Sequence, residues 1–129
     1  MRGEQAVAYV SPPIGNQVSC VFHGGLRPQL FDLDYAREIF TKALEAEDFH
    51  ICSVAFAKFE PLGYTITFVL SESHFAVHTY KEYDSIYVEI YSCRGINDGL
   101  KTIEAVSRFF EAKEMLLHER IAVPVMKAG

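Results

Sequence analysis

Ser85-Ile86-Tyr87-Val88-Glu89-Ile90-Tyr91-Ser92 alternates without a break: Ile86, Val88 and Ile90 fall on one side, and Tyr87, Glu89 and Tyr91, with Cys93 beyond them, on the other. Side chains of an extended strand point to opposite faces in turn, so this pattern predicts one dry face and one polar, aromatic face. Outward from it, residues 75–80, 64–70 and 51–59 read as further strands. The last of these stops at Glu60-Pro61-Leu62-Gly63, where proline presets its backbone and glycine supplies a positive φ. Residues 17–22 give a strand closed by His23-Gly24-Gly25, and residues 116–123 could add a last one. Two stretches change period. From Asp32 or Asp34 to about residue 47, Ile39, Phe40, Ala43 and Leu44 recur at helical spacing behind an aspartate cap; over residues 98–113, Leu100, Ile103, Val106 and Phe110 do the same behind Asp98. The expected fold is α+β, a two-layer α/β sandwich whose mainly antiparallel sheet carries both helices on one face.

The chain has 129 residues, half of them hydrophobic, which suits one domain burying roughly two-thirds of its unfolded surface. Ser11-Pro12-Pro13-Ile14-Gly15 separates an arm, residues 1–14, from a single domain over 15–129; residues 6–10 read either as a short edge strand or as a loosely held tail. Asp plus Glu at 17 against Lys plus Arg at 12 argues against a nucleic-acid surface and agrees with a cationic or zwitterionic small substrate. Cys20, Cys52 and Cys93 are odd in number and widely spaced, so neither a disulfide framework nor a metal site is indicated. No apolar run approaches the roughly 20 residues that span a bilayer, so a soluble, cytoplasmic protein is expected. The face carrying Tyr87, Glu89, Tyr91 and Cys93 is too aromatic for plain solvent, and a second copy of the sheet is the economical cover, making a homodimer with a cleft at its seam.

Ser71-Glu72-Ser73-His74 followed by His78-Thr79-Tyr80, then Glu82-Tyr83 and Cys93, resembles the prokaryotic S-adenosylmethionine decarboxylase proenzymes, the small pyruvoyl-dependent enzymes of spermidine synthesis. The similarity extends more weakly through Phe59-Glu60-Pro61-Leu62-Gly63. It implies self-cleavage between Glu72 and Ser73 into residues 1–72 and 73–129, with Ser73 converted to a covalent pyruvoyl group. His78 and Cys93 would be the other two chemical residues, and Thr65 falls at the position of a processing serine. Phe59, Glu82 and, less firmly, Phe22 take the substrate-binding positions, aromatic rings for an adenine and a carboxylate for a ribose.

The chemistry has a physical logic of its own. Attack of the Ser73 hydroxyl on the Glu72 carbonyl exchanges an amide for an ester, whose oxygen leaves more easily. His78 can then remove the Ser73 α-proton, the upstream carboxylate is eliminated and hydrolysis leaves a ketone. That ketone forms a Schiff base with a substrate amine and acts as an electron sink, and Cys93 returns a proton to the substrate carbon. Ser73 and His78 lie five positions apart, so an unbroken strand would set them on opposite faces, and the mechanism requires a turn or bulge near Ser73. Taken singly, each group has an ordinary reading: a turn serine, sheet histidines, a half-buried cysteine, a core Phe59 or Phe22, a solvated Glu82. The chain departs from the family pattern at Ala57, Tyr64, Lys81 and Arg94, and Tyr64 and Arg94 are expected to reshape the pocket. Alternatives are a pyruvoyl-dependent ornithine or arginine decarboxylase, a non-cleaving small-molecule-binding module and, below these, a cysteine hydrolase using Cys93, His78 and Glu89.

Overall fold

A computed structural model describes residues 14–122. Six strands, β1 (Gly15–His23), β2 (Ile51–Lys58), β3 (Tyr64–Leu70), β4 (Ser73–Tyr80), β5 (Ser85–Ser92) and β6 (Glu114–Ala122), form one antiparallel sheet in the order β2-β3-β4-β5-β1-β6. The helices α1 (Leu33–Ala46) and α2 (Leu100–Phe110) cover one face and touch each other. This is the expected two-layer sandwich. The arm at residues 1–13 and Val123 lie outside the described residues.

The alternation on β5 has the expected meaning: Ile86, Val88, Ile90 and Ser92 are buried beneath the helices, while Tyr87, Glu89 and Tyr91 are half-buried on the other side. Phe22, Phe40, Phe75 and Phe110 knit the layers together by edge-on and tilted ring contacts at centroid distances of 5.0–6.0 Å, a geometry worth about 0.5–1.5 kcal/mol per pair beyond burial. Cys20 belongs to this core, and burial pushes its thiol up to about 12, so it packs as a small hydrophobe.

The helix ends are finished in two different ways. Asp32 caps α1 as expected, its carboxylate accepting the N–H of Tyr35 at 3.1 Å. Asp98 does not cap α2, which starts at Leu100 behind Gly99 at φ 100°. Its role falls to Glu47, at the far end of α1, whose carboxylate accepts the N–H of Gly99 at 2.8 Å and both the N–H and the hydroxyl of Thr102 at 2.7 Å. A carboxylate there satisfies donors that the first helical turn leaves unpaired and meets the positive end of the helix dipole. Glu47 is 8% exposed, so Glu47→Ala would strand the buried N–H groups of Gly99 and Thr102, while the Thr102 hydroxyl keeps the Ala43 carbonyl at 3.4 Å. A loss of about 2–4 kcal/mol is expected, read as a lower denaturation midpoint in urea.

Candidate active site

The peptide bond from Glu72 to Ser73 sits at the tip of the β3–β4 hairpin. Ser71 and Glu72 form the turn, the N–H of Ser71 donates to the carbonyl of His50 at 3.1 Å, and Ser73 opens β4. From Ser73 to Tyr80 every residue of β4 pairs in step with β5, Ser73 opposite Ser92 and Tyr80 opposite Ser85, so the expected turn lies just before Ser73 and no bulge follows it. The parity is therefore kept. Ser73 shares the helix-facing side with Phe75, Val77 and Ser92, whereas His78 shares the open side with His74 and Tyr87. Five residues of strand also separate Ser73 from His78 by about 16 Å, so one subunit does not bring them together.

The chain sorts the expected residues into two groups at opposite ends of β4. At the hairpin end are Glu72, Ser73 and Cys93, the last reached from Ser92, which faces Ser73. Ser73 Oγ is buried and has no hydrogen-bond partner among the described residues; Glu72 Oε1 is the same. Buried hydroxyls are nearly always paired, so an uncommitted one calls for an explanation, and a role in chemistry is one. Tyr91 lies over Gly15, where a Cβ would collide with its ring, and stacks on His74 at 6.1 Å. Its phenol is raised by burial and by its neighbour Cys93, to which it is hydrogen-bonded.

At the other end, Thr65 stands directly opposite His78. The turn from Phe59 to Gly63 and the chain from Thr79 to Glu82 wall an open cleft of about 520 Å³ that contains Phe59, Tyr80, Lys81 and Glu82. Phe59 is 47% exposed there. Gly63, at φ 115°, closes the turn with its carbonyl accepting the Phe59 N–H at 2.9 Å. Phe22 does not reach this cleft: it is 1% exposed and edge-on to Phe110, because its parity on β1 points it under the helices.

Two residues expected to reshape the pocket turn away from it. Tyr64 has the parity of Ile66 and Phe68 and is fully buried, its hydroxyl donating to the Leu30 carbonyl at 2.7 Å. Arg94 lies 3.8 Å over the Phe49 ring and donates to the carbonyls of Glu47 and Asp48 and to Asp98, on the helix side.

Between the two groups runs a network that single-chain reasoning did not assemble. Glu89 accepts from the Tyr87 hydroxyl at 2.7 Å and pairs with His74 Nε2 at 3.2 Å, and His78 tilts against Tyr87 at 6.0 Å. Burial works to raise Glu89, but hydrogen bonds from Tyr87 and His74 and the fields of His74 and His78 outweigh it and hold the carboxyl below its ordinary range. Burial and Glu89 push the Tyr87 phenol up to about 12. The strip thus carries a fixed negative charge between hydroxyls and imidazoles. Its signal in the sequence was a lone Glu among tyrosines on the open face of β5.

A one-sheet, two-helix sandwich with an uncommitted serine at a hairpin tip and an aromatic, acidic cleft defines a small-molecule site built on an α+β layer. The S-adenosylmethionine decarboxylase family model matches residues 17–121, and the chain belongs to that family. It is 30% identical over 101 residues to an S-adenosylmethionine decarboxylase proenzyme of Clostridium botulinum (strain Langeland), covering 78% of this chain and 82% of that one. A proenzyme of the same name from Pseudomonas aeruginosa is 29% identical over 86 residues, 67% of this chain; the chain spans about half of that relative, 54%. The fold matches the Aquifex aeolicus adenosylmethionine decarboxylase with a TM-score of 0.75 at 16% identity, over 89% of this chain and 93% of that one. No helix among the described residues is long and apolar enough to cross a membrane.

Proposed function

We propose that this chain is a proenzyme that cuts itself between Glu72 and Ser73, keeps the downstream end as a pyruvoyl group and decarboxylates S-adenosylmethionine, the step that commits it to polyamine synthesis. The observation that carries this is the Ser73 hydroxyl, buried without a partner and one bond downstream of the hairpin tip, in a chain of this family. It fits the group: the atom that must be consumed to make the ketone is the one the fold leaves uncommitted. Once formed, the keto group supplies an electrophile for a substrate amine and a sink for the electrons released with carbon dioxide.

The two separated groups support a site shared between subunits. The open face, with Tyr87, Glu89, Tyr91 and Cys93 half-buried on it, suits a two-fold copy of itself. With the two-fold axis across the strands, the partner's β4 runs against this one in reverse, so the hairpin end of one subunit meets the His78 end of the other. Cys93 and the main chain at Ser73, whose side chain lies on the helix side, would then meet the partner's His78, Thr65, Phe59 and Glu82. In that arrangement the partner's His78 removes the Ser73 α-proton during processing, and Thr65 offers a hydroxyl to the intermediate. Phe59 stacks on the adenine and faces the sulfonium, an attraction of about 0.5–2 kcal/mol; Glu82 accepts from the ribose hydroxyls; Cys93 returns a proton to the substrate carbon. Exposed Cys52 and half-buried Cys93, neither of them in a disulfide, agree with a reducing cytoplasm.

The test is denaturing mass spectrometry of the purified chain, followed by carbon dioxide release from S-adenosylmethionine, ornithine and arginine. Two fragments are expected, 1–72 and 73–129, their masses adding to that of the chain with a water gained and an ammonia lost, with turnover of S-adenosylmethionine. An intact chain at 14.6 kDa with no turnover would reduce the protein to a binding module. Turnover of ornithine or arginine alone would keep the cleavage and replace the substrate.

A further inference from the structure

Ser92 stands directly opposite Ser73 on the helix-facing side of the sheet and is fully buried. Opposed residues in an antiparallel pair hold their Cβ atoms about 4.5–5.5 Å apart, a distance at which two buried hydroxyls ordinarily bond to each other. These two do not: Ser73 Oγ is uncommitted, whereas Ser92 is engaged elsewhere. Its O–H donates to Asp98 Oδ2, and one of its lone pairs accepts the backbone N–H of Arg94 at 3.0 Å. Asp98 is held in place for this: Arg94 donates to its two oxygens from Nε at 2.8 Å and Nη2 at 3.0 Å. Arg94 is in turn fixed on the carbonyls of Glu47 at 2.7 Å and Asp48 at 2.9 Å. A hydroxyl has one hydrogen and two acceptor positions. With its hydrogen given to Asp98 and one acceptor position filled, Ser92 keeps one acceptor position and has nothing to donate.

We propose that Asp98 and Ser92 are positioning residues of self-cleavage: Asp98 leaves Ser92 only an acceptor, so that when the Ser73 hydroxyl turns to attack the Glu72 carbonyl its hydrogen is taken up by Ser92 across the strand pair and its oxygen is left free. The inference rests on the proposed cleavage at Glu72–Ser73. In this step the bond from Ser73 Oγ to the Glu72 carbonyl carbon forms, and the bond from that carbon to Ser73 N breaks. The hydrogen that leaves Ser73 Oγ ends on Ser73 N, so the exchange of amide for ester is balanced without another reactant. Without Asp98 the Ser92 hydrogen is free to turn onto Ser73 Oγ, and it then occupies the lone pair that attacks.

The experiment compares self-cleavage rates of the full chain, freshly made by cell-free synthesis, as wild type, Ser92→Ala, Asp98→Ala and the double variant, with a melting temperature for each. Hydrogen-bond energies put the expected slowing at about tenfold for Ser92→Ala and about a hundredfold for Asp98→Ala, with the double variant recovering to about tenfold. Recovery is the discriminating outcome, since Asp98 can matter only while Ser92 has a hydrogen to misdirect. A role confined to holding Arg94 would leave the double variant at least as slow as Asp98→Ala. That result, or wild-type cleavage by Asp98→Ala, overturns the proposal. Should Asp98→Ala fail to fold, Ser92→Thr decides: it keeps the hydroxyl and is expected to cleave near the wild-type rate, and slowing equal to Ser92→Ala overturns the proposal. A wild-type chain that stays whole removes the cleavage reading itself, which is distinguishable because all the variants then stay whole as well.

Discussion

Ser73→Ala is expected to remain a single chain of 14.6 kDa under conditions where the wild type is cut into two pieces, with decarboxylation lost completely. The size of the effect follows from the chemistry: the ester oxygen must come from residue 73 itself, because its later elimination is what turns that residue into the ketone, and alanine has none to give. The accompanying effect on stability separates this outcome from misfolding. Ser73 Oγ is buried and makes no hydrogen bond, so deleting it removes a desolvated polar group and leaves no partner stranded. The variant is expected to be as stable as the uncut wild type or more stable by on the order of 1 kcal/mol, measured by urea denaturation. A variant that cleaves, or one that is strongly destabilised, would contradict the role given to this oxygen.

Co-expressed Ser73→Ala and His78→Ala chains are expected to regain activity that neither has alone. Within one subunit Ser73 and His78 are on opposite faces of β4 and five residues apart, which is too far for one proton transfer. If the sites are shared, a mixed dimer joins the intact Ser73 of one chain to the intact His78 of the other, and its second site carries both lesions. Random pairing makes half of the dimers mixed, so about a quarter of wild-type turnover should return, with about half of the Ser73-bearing chains processed. Zero recovery, with mixed dimers demonstrated by a tag on one chain, would place both residues in one subunit and dismantle the shared site.

Much of the architecture was legible because burial imposes a period. The break from alternation to helical spacing at Asp32 and after Asp98, and the strict alternation on β5, located the layers and the face left open. Tyr64 shows the same signal overlooked: its parity with Ile66 and Phe68 already placed it under the helices, although its bulk beside Gly63 suggested a pocket residue. Phe22 likewise follows Val18 and Cys20 inward. What could not be read from one chain is register. An aspartate just before a helical stretch looks like a cap whatever else it does. Only the pairing of Ser73 with Ser92, and the path of Arg94 back to Glu47, show Asp98 engaged elsewhere and the cap supplied across the layer by Glu47. The Glu89–His74–Tyr87 network depends in the same way on which residues of β4 and β5 stand opposite each other.

The sheet order decides what a cut ahead of Ser73 would do. Residues 14–72 supply β1, α1, β2 and β3, and residues 73–122 supply β4, β5, α2 and β6. In the order β2-β3-β4-β5-β1-β6 the upstream strand β1 is hydrogen-bonded on both sides by downstream strands. A nick at the hairpin tip therefore opens a covalent link without releasing either piece: the halves are laced through one another, and only unfolding would part them.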